Sequence, residues 1–307
     1  MEELNIAKDI ELKNPTMIAG WPGMGSVALG VVDYLVKALN ATKFAQIKMD
    51  PSGTLDSVVV EDGLAALPPP PQNAFYYTKN PDLIIFEGEA QVQGQAGIEL
   101  LNKVLDVALK FKTKRIYTGA AFPLPISHRE EPELYGVANV KLLRDMLVKS
   151  GVSVMESGRI SGLNGLVLGF AKARGIEAIC LLATMPQYAI SLPNPKASGA
   201  IIEKLKKIIN FNADIHGLND FIKEMDEKMA MIEDKVRDVL TVEKEDTGSH
   251  SAEKKTPAYI MEKVEKLFRE AKLDKSKAIA LKVELDRWDL YKAYEDRFLD
   301  LFKDSQA

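Results

Sequence analysis

Four short, unbroken apolar runs set the class of fold open to this chain. They are Thr16-Met17-Ile18-Ala19, Leu83-Ile84-Ile85-Phe86, Arg115-Ile116-Tyr117-Thr118 and Ala178-Ile179-Cys180-Leu181-Leu182-Ala183. A strand with one wet face alternates apolar and polar residues. A continuous run reads instead as a strand covered on both faces. Between the runs lie segments of helical period. Residues 26–39 place Val27, Val31, Tyr34, Leu35 and Ala38 on one side, and residues 98–110 do the same with Leu101, Val104, Leu105 and Ala108. Residues 139–150, 163–174 and 197–209 complete the set. Strand, helix, strand at this spacing implies crossover connections and a mainly parallel sheet with helices on both faces. Further β signal at 43–48, 57–60 and 74–77 reads as a mixed edge or added hairpins. The four prolines 68–71 fit neither helix nor central strand and predict an extended surface loop.

Composition changes at about residue 215. The last 92 of the 307 residues hold 22 acids and 18 bases, about double the charge density of the rest. Their only glycine and proline after Gly217 are Gly248 and Pro257. The expected organisation is an α/β core over 1–215 and a charged helical extension over 216–307. In the extension, Leu218, Ile222, Met225, Met229, Ile232, Val236 and Val239 alternate spacings of four and three. That is a heptad seam over 218–240 on an otherwise charged helix, and a seam so narrow needs a partner. Residues 242–256 are polar and predict a flexible linker. Helices follow over 257–304. Ile260, Val264 and Leu267 form a short apolar stripe, and Leu281, Leu285, Trp288, Tyr291, Tyr294, Phe298 and Leu301 form a longer one. Such stripes suit an antiparallel bundle within the subunit, and equally an arm that binds another chain. On the second reading Met225, Met229, Ile232, Val236, Trp288, Tyr291 and Phe298 are the contact residues.

Several function classes lose support. A net charge of −4 leaves no footprint for nucleic acid. The single cysteine, Cys180, permits no intrachain disulfide. The start, Met1-Glu2-Glu3-Leu4-Asn5, lacks the pattern of a signal peptide, and no apolar stretch has the length of a membrane helix. The expectation is a cytoplasmic protein that binds neither nucleic acid nor membrane.

The strongest local motif is Gly20-Trp21-Pro22-Gly23-Met24-Gly25-Ser26, after a strand and at the opening of a helix. Nucleotide-binding loops present backbone amides to phosphate at that place. The spacing departs from both familiar versions. Ala28 stands where a dinucleotide fingerprint has its third glycine, and no lysine occurs between Lys13 and Lys37 for a P-loop. The structural alternative is a tight turn that seats the helix against the sheet, with Ser26 near the cap. A second glycine cluster, Ser157-Gly158-Arg159-Ile160-Ser161-Gly162-Leu163-Asn164-Gly165, also precedes a helix. It reads as an anion loop with Arg159, or as close helix–sheet contact through Gly162, Gly165 and Gly169. Glu87 and Glu89 end a buried strand, where open α/β sheets bind ligands, and two residues apart they share a face. A ligand site here would involve Gly20, Trp21, Gly23, Gly25, Ser26, Glu87, Glu89 and Gly162. The histidines His128, His216 and His250 make no zinc pattern, so no metal and no cofactor is expected. His128 lies in a proline-bounded loop and is expected to be exposed. Cys180 is expected to be buried and inert. No catalytic set stands out.

The opening motif, continued by Val27 and Ala28, resembles the signature of the proteasome assembly chaperone family. Gly158 to Gly165, Ala178 to Thr184 and Asn194-Pro195-Lys196-Ala197-Ser198 are similar to that family too, in the same order. The resemblance covers roughly residues 14–240, and single-chain members of this size with a charged helical tail look archaeal. It implies a three-layer α/β fold, structural glycine segments, a homo-oligomer, and binding to proteasome core-particle α-subunits or another client. The family has been labelled ligase-like by remote analogy. That supplies the alternative of an ATP- or phosphate-dependent small-molecule enzyme, of ligase or phosphorylase type, using the glycine loops. Docking members end in a hydrophobic residue, tyrosine and any residue. The sequence here ends Lys303-Asp304-Ser305-Gln306-Ala307, so docking is expected through another surface or to another client.

Overall fold

The computed structural model describes residues 3–6, 10–49, 58–242, 258–288 and 290–302, with side chains undescribed at 3, 234–242, 258–263 and 287. The predicted linker falls almost wholly in 243–257, outside the described residues, as does His250.

In chain order the elements are β1 (Glu3–Ile6), β2 (Thr16–Gly20), α1 (Val27–Ala38), β3 (Thr42–Lys48), β4 (Val59–Glu61), β5 (Leu64–Ala66), β6 (Asn73–Thr78) and β7 (Leu83–Gly88). Then come α2 (Gly94–Lys110), β8 (Arg115–Leu124), β9 (Leu134–Ala138), α3 (Lys141–Lys149), β10 (Ser153–Val154), α4 (Leu163–Ala173), β11 (Glu177–Pro186) and α5 (Pro195–Ile209). The helices α6 (Asn219–Val242), α7 (Ala258–Leu273), α8 (Ala278–Arg287) and α9 (Tyr291–Asp300) follow.

Nine strands form one mixed sheet in the order β1-β3-β6-β7-β2-β8-β11-β9-β10. Its centre, β7-β2-β8-β11, is parallel and made of the four apolar runs. Antiparallel strands flank it, with β6 and β3 on one side and β9 on the other. Strand β9 sits between β11 and β10, where no strand is evident from the sequence. The β4–β5 hairpin stands apart from the sheet and is exposed.

Each central strand sends alternate residues to opposite faces. Met17, Ile84, Phe86 and Cys180 pack under α2 and α4. Ile18, Ile85, Tyr117 and Ile179 pack under α1, α3 and α5. The result is helix, sheet, helix: three layers, as the resemblance implies. Cys180 is fully buried, and burial pushes its thiol up to about 12, so no thiolate forms at neutral pH.

The chain divides into compact units at 236/237, later than the change in composition, because the first turns of α6 pack on the core. Within the second unit, Val264, Phe268, Leu281, Leu285, Leu290 and Phe298 form a small core of their own. The longer apolar stripe breaks near Trp288 into α8 and α9 rather than running as one helix. Arg297 engages both carboxylate oxygens of Glu265 and lies 4.2 Å over the Phe268 ring, joining α9 to α7.

Candidate functional site at the carboxyl end of the sheet

The connection from β2 to α1 holds residues 21–26 and sits at the carboxyl ends of the parallel strands. Three of its amides, those of Trp21, Gly25 and Ser26, are already in use. Trp21 N–H donates to Asn164 Oδ1 at 3.0 Å, and Asn164 Nδ2 donates back to the Trp21 carbonyl at 3.0 Å. Thr118 Oγ1 donates to the same Oδ1 at 3.2 Å and fixes the amide's orientation. Gln91 Nε2 donates to the Pro22 carbonyl at 2.8 Å, while Gln91 Oε1 accepts from Leu163 N–H. Gly25 N–H donates to the Ile190 carbonyl at 2.7 Å, and Asn194 N–H donates to the Gly25 carbonyl at 2.8 Å. Ser26 N–H closes on the Gly23 carbonyl. Asn194 also caps α5 by accepting from Ala197 N–H.

The segments that look far apart in sequence therefore meet on one loop. Asn164 comes from the second glycine cluster, Asn194 stands just before α5, and Ser198, in the first turn of α5, donates to the Val27 carbonyl at 3.0 Å. The glycines serve this packing. At Gly20 a Cβ would lie 2.4 Å from the Ala28 carbonyl oxygen, so β2 and α1 approach more closely than a side chain permits. Gly25 has φ +61°, and a Cβ there would lie 2.7 Å from the Met185 sulfur. The amides of Trp21, Gly25 and Ser26 would have to break these bonds to cradle a phosphate.

The predicted ligand residues separate into groups. Gly25, Ser26, Glu87 and Glu89 line one cleft of about 630 Å³, together with Asp33, Tyr34 and Lys37. Gly23 lines a second cavity, of about 260 Å³, on the other side of the loop. Gly20, Trp21 and Gly162 line neither. Trp21 is fully buried against Phe86, with ring centroids 5.0 Å apart, so it supports the core. Burial, and then the Asp33 carboxylate, raise the Glu87 carboxyl above its ordinary value. Burial, and then Glu87, push the neighbouring Tyr76 hydroxyl up to about 12. Glu89 accepts from Gln72 N–H at 2.8 Å. Among the described residues, no group of His, Cys, Asp and Glu is arranged to hold a metal.

The seam of α6 folds back on this same end of the sheet. Met225 and Met229 are buried against Tyr188, Ala189 and Leu192 in the connection after β11. Ile232 is half-buried, and the Val236 side chain is outside the described ones. One residue past Ile232, a single carboxylate oxygen of Glu233 accepts three bonds. They come from His128 Nδ1 at 2.7 Å, Tyr188 OH at 3.0 Å and Ser127 Oγ at 3.1 Å. Because a carboxylate only accepts, Nδ1 carries the hydrogen. Burial alone would raise the Glu233 carboxyl, but the bonds from Tyr188, His128 and Ser127 outweigh it and hold it below the ordinary range. His128 is thus buried, against the expectation of an exposed loop residue. No local signal marks it, since its partner lies 105 residues away. Trp288 is half-exposed, whereas Tyr291 and Phe298 belong to the core of the second unit.

The family model of the PAC2 family matches residues 17–233. The chain belongs to the PAC2 family. The match begins in β2 and stops at Glu233, so it holds every residue of the interlock just described. PbaB of Pyrococcus furiosus, an archaeal proteasome activator, is 27% identical with a TM-score of 0.65, over 76% of this chain and 98% of that chain. PbaA of the same organism, an archaeal homolog of proteasome-assembly chaperone, has a TM-score of 0.61 at 20% identity, over 77% of this chain and 100% of that chain, and shows the shared fold. An uncharacterized protein of Methanocaldococcus jannaschii is 28% identical over 72% of this chain and 84% of its own length. Among the described residues of this PAC2 member, no helix is long and apolar enough to cross a membrane.

Proposed function

We propose that the protein is a non-enzymatic chaperone or scaffold. It self-associates and binds proteasome core-particle α-subunits or another protein client. The α/β core, placed at 1–215, is the platform, and the helices from 216 onward are the contact arm. Membership of the PAC2 family supports the class of function, and the likeness to PbaB points to the proteasome. The observation that carries the non-enzymatic part is the interlock. Three of the amides that a nucleotide-binding protein would turn to phosphate, those of Trp21, Gly25 and Ser26, are spent on Asn164, Ile190 and Gly23. The extension supports the arm: Ile279 and Val283 of α8 and Leu299 of α9 are exposed apolar residues on a charged unit.

The test is capture of purified core-particle α-subunits by the full chain with its carboxyl terminus untagged, with mass measured in parallel by light scattering. Specific capture by an oligomer is expected. A monomer that captures no α-subunit would overturn the reading.

One observation favours a second reading, the ligase- or phosphorylase-type enzyme. Gly25, Ser26, Glu87 and Glu89 do converge on one cleft. Heat stabilisation by magnesium–ATP would support it, and no shift at millimolar nucleotide would remove it.

A further inference from the structure

The cavity of about 260 Å³ on the α4 side of the glycine loop is separate from the Glu87 cleft. It lies at the carboxyl ends of β8 and β11, the part of an open α/β sheet that receives ligands. Its walls are apolar: Ala28, Ala120, Ala121, Phe122 and Leu182 are among them. Of its polar residues, Gln91 and Asn164 are committed to holding the loop and the start of α4. No carboxylate lines it. Arg159 is its one cation, and among the described residues nothing pairs with it.

We infer that this cavity binds a small carboxylate carrying an apolar body of side-chain size, with Arg159 taking the carboxylate. A guanidinium matches a carboxylate with two parallel bonds. The volume is below the usual range of about 300–1,000 Å³ for ligand pockets, so the body is small. Phosphate fits less well. At the start of α4, Leu163 N–H is bonded to Gln91, and Gly165 and Leu166 N–H both turn to the Gly162 carbonyl, so a phosphate lacks its amide cradle. The same chemistry is offered by a free acid and by a peptide carboxyl terminus.

The test is calorimetric titration of the full chain with four probes. They are 4-methylpentanoate as a free acid, N-acetyl-glycyl-leucine as a peptide terminus, the amide of that dipeptide, and inorganic phosphate. Binding of at least one acid is expected, weakened about tenfold or more for the amide and in Arg159→Gln, which is about 1.4 kcal/mol or more. Arg159 is exposed, so this variant keeps the fold. Ala120→Leu, which fills the cavity, is expected to remove binding. Which acid binds more tightly identifies the source. Equal binding of the amide, unchanged binding in Arg159→Gln, binding of phosphate alone, or no binding of either acid at about 10 mM would each overturn the inference.

Discussion

The side-chain amide of Asn164 closes both backbone groups of Trp21, one bond in each direction and each 3.0 Å long. All the groups involved are buried. A lone helix-start asparagine thereby does for the glycine loop what a neighbouring strand does for a strand edge.

Asn164→Ala should therefore cost more than an ordinary side-chain bond. It leaves a buried N–H and a buried carbonyl without partners, at about 1–3 kcal/mol each. The expected loss in urea unfolding is about 2–5 kcal/mol, with an unchanged m-value. A loss under about 0.5 kcal/mol would mean that the loop is held by its other bonds alone.

Gly20→Ala tests the close approach of β2 and α1. The new methyl meets backbone first, the Ala28 carbonyl, and also a methyl of the buried, β-branched Val32. The helix must move, and overpacking of this kind costs about 1–3 kcal/mol. The thermal midpoint should fall by several degrees, and a midpoint within 1 °C or so of the parent would show that α1 shifts freely.

The α6 seam yields a prediction of a different kind. Met229 is 2% exposed and packs within its own chain. Met229→Ala should cost about 2–5 kcal/mol. Met229→Glu should release α6, read as faster amide exchange across 219–233 with exchange in β2, β7 and β8 unaltered. Unchanged exchange in α6 would place its anchor elsewhere, first at the Glu233 bonds.

Those bonds predict an acid response. Hydrogen bonds hold the folded Glu233 carboxyl below its unfolded value. A depressed acid stabilises above its unfolded pKa, near 4.5 here, and that stabilisation is lost as pH falls through the lower, folded value. Glu233→Gln should flatten the stability profile below this point, measured as midpoint against pH. Parallel profiles for parent and variant would show that Glu233 does not titrate on unfolding.

The central sheet is legible in the sequence because an unbroken apolar run such as Leu83-Ile84-Ile85-Phe86 leaves a strand no wet face. The period of two also places Glu87 and Glu89 on one face, and both do line one cleft. The edges are less legible. β9 carries Gly136 and follows a charged loop, and β10 has only two residues, too few to show a period. Asn194 caps its own helix, which is a local signal, but nothing local reveals what the side chains of Asn164 and Gln91 bond to. Their partners are backbone atoms of a remote loop, and backbone atoms leave no trace in composition. His128 fails for the same reason: proline and charged neighbours read as solvent, while Tyr188 and Glu233 arrive from other elements.

Glu87 offers the converse of Glu233. Burial comes first, and the Asp33 carboxylate second, in raising its folded pKa; the Tyr76 hydroxyl opposes them without prevailing. In the unfolded chain the group ionises near 4.5. Between that value and the raised folded one, the native state holds a proton that the unfolded state has lost. Stability is therefore lost as pH rises through this window, and the penalty is complete once pH has passed the raised folded value. Glu87→Gln keeps the shape and removes the charge. It should melt higher than the parent at pH 7, and the difference should vanish below about pH 4.5, where the parent is protonated in both states. An equal difference at every pH would assign the effect to packing. A variant less stable at pH 7 would mean that the bond from Tyr76 to an ionised Glu87 outweighs the burial of its charge.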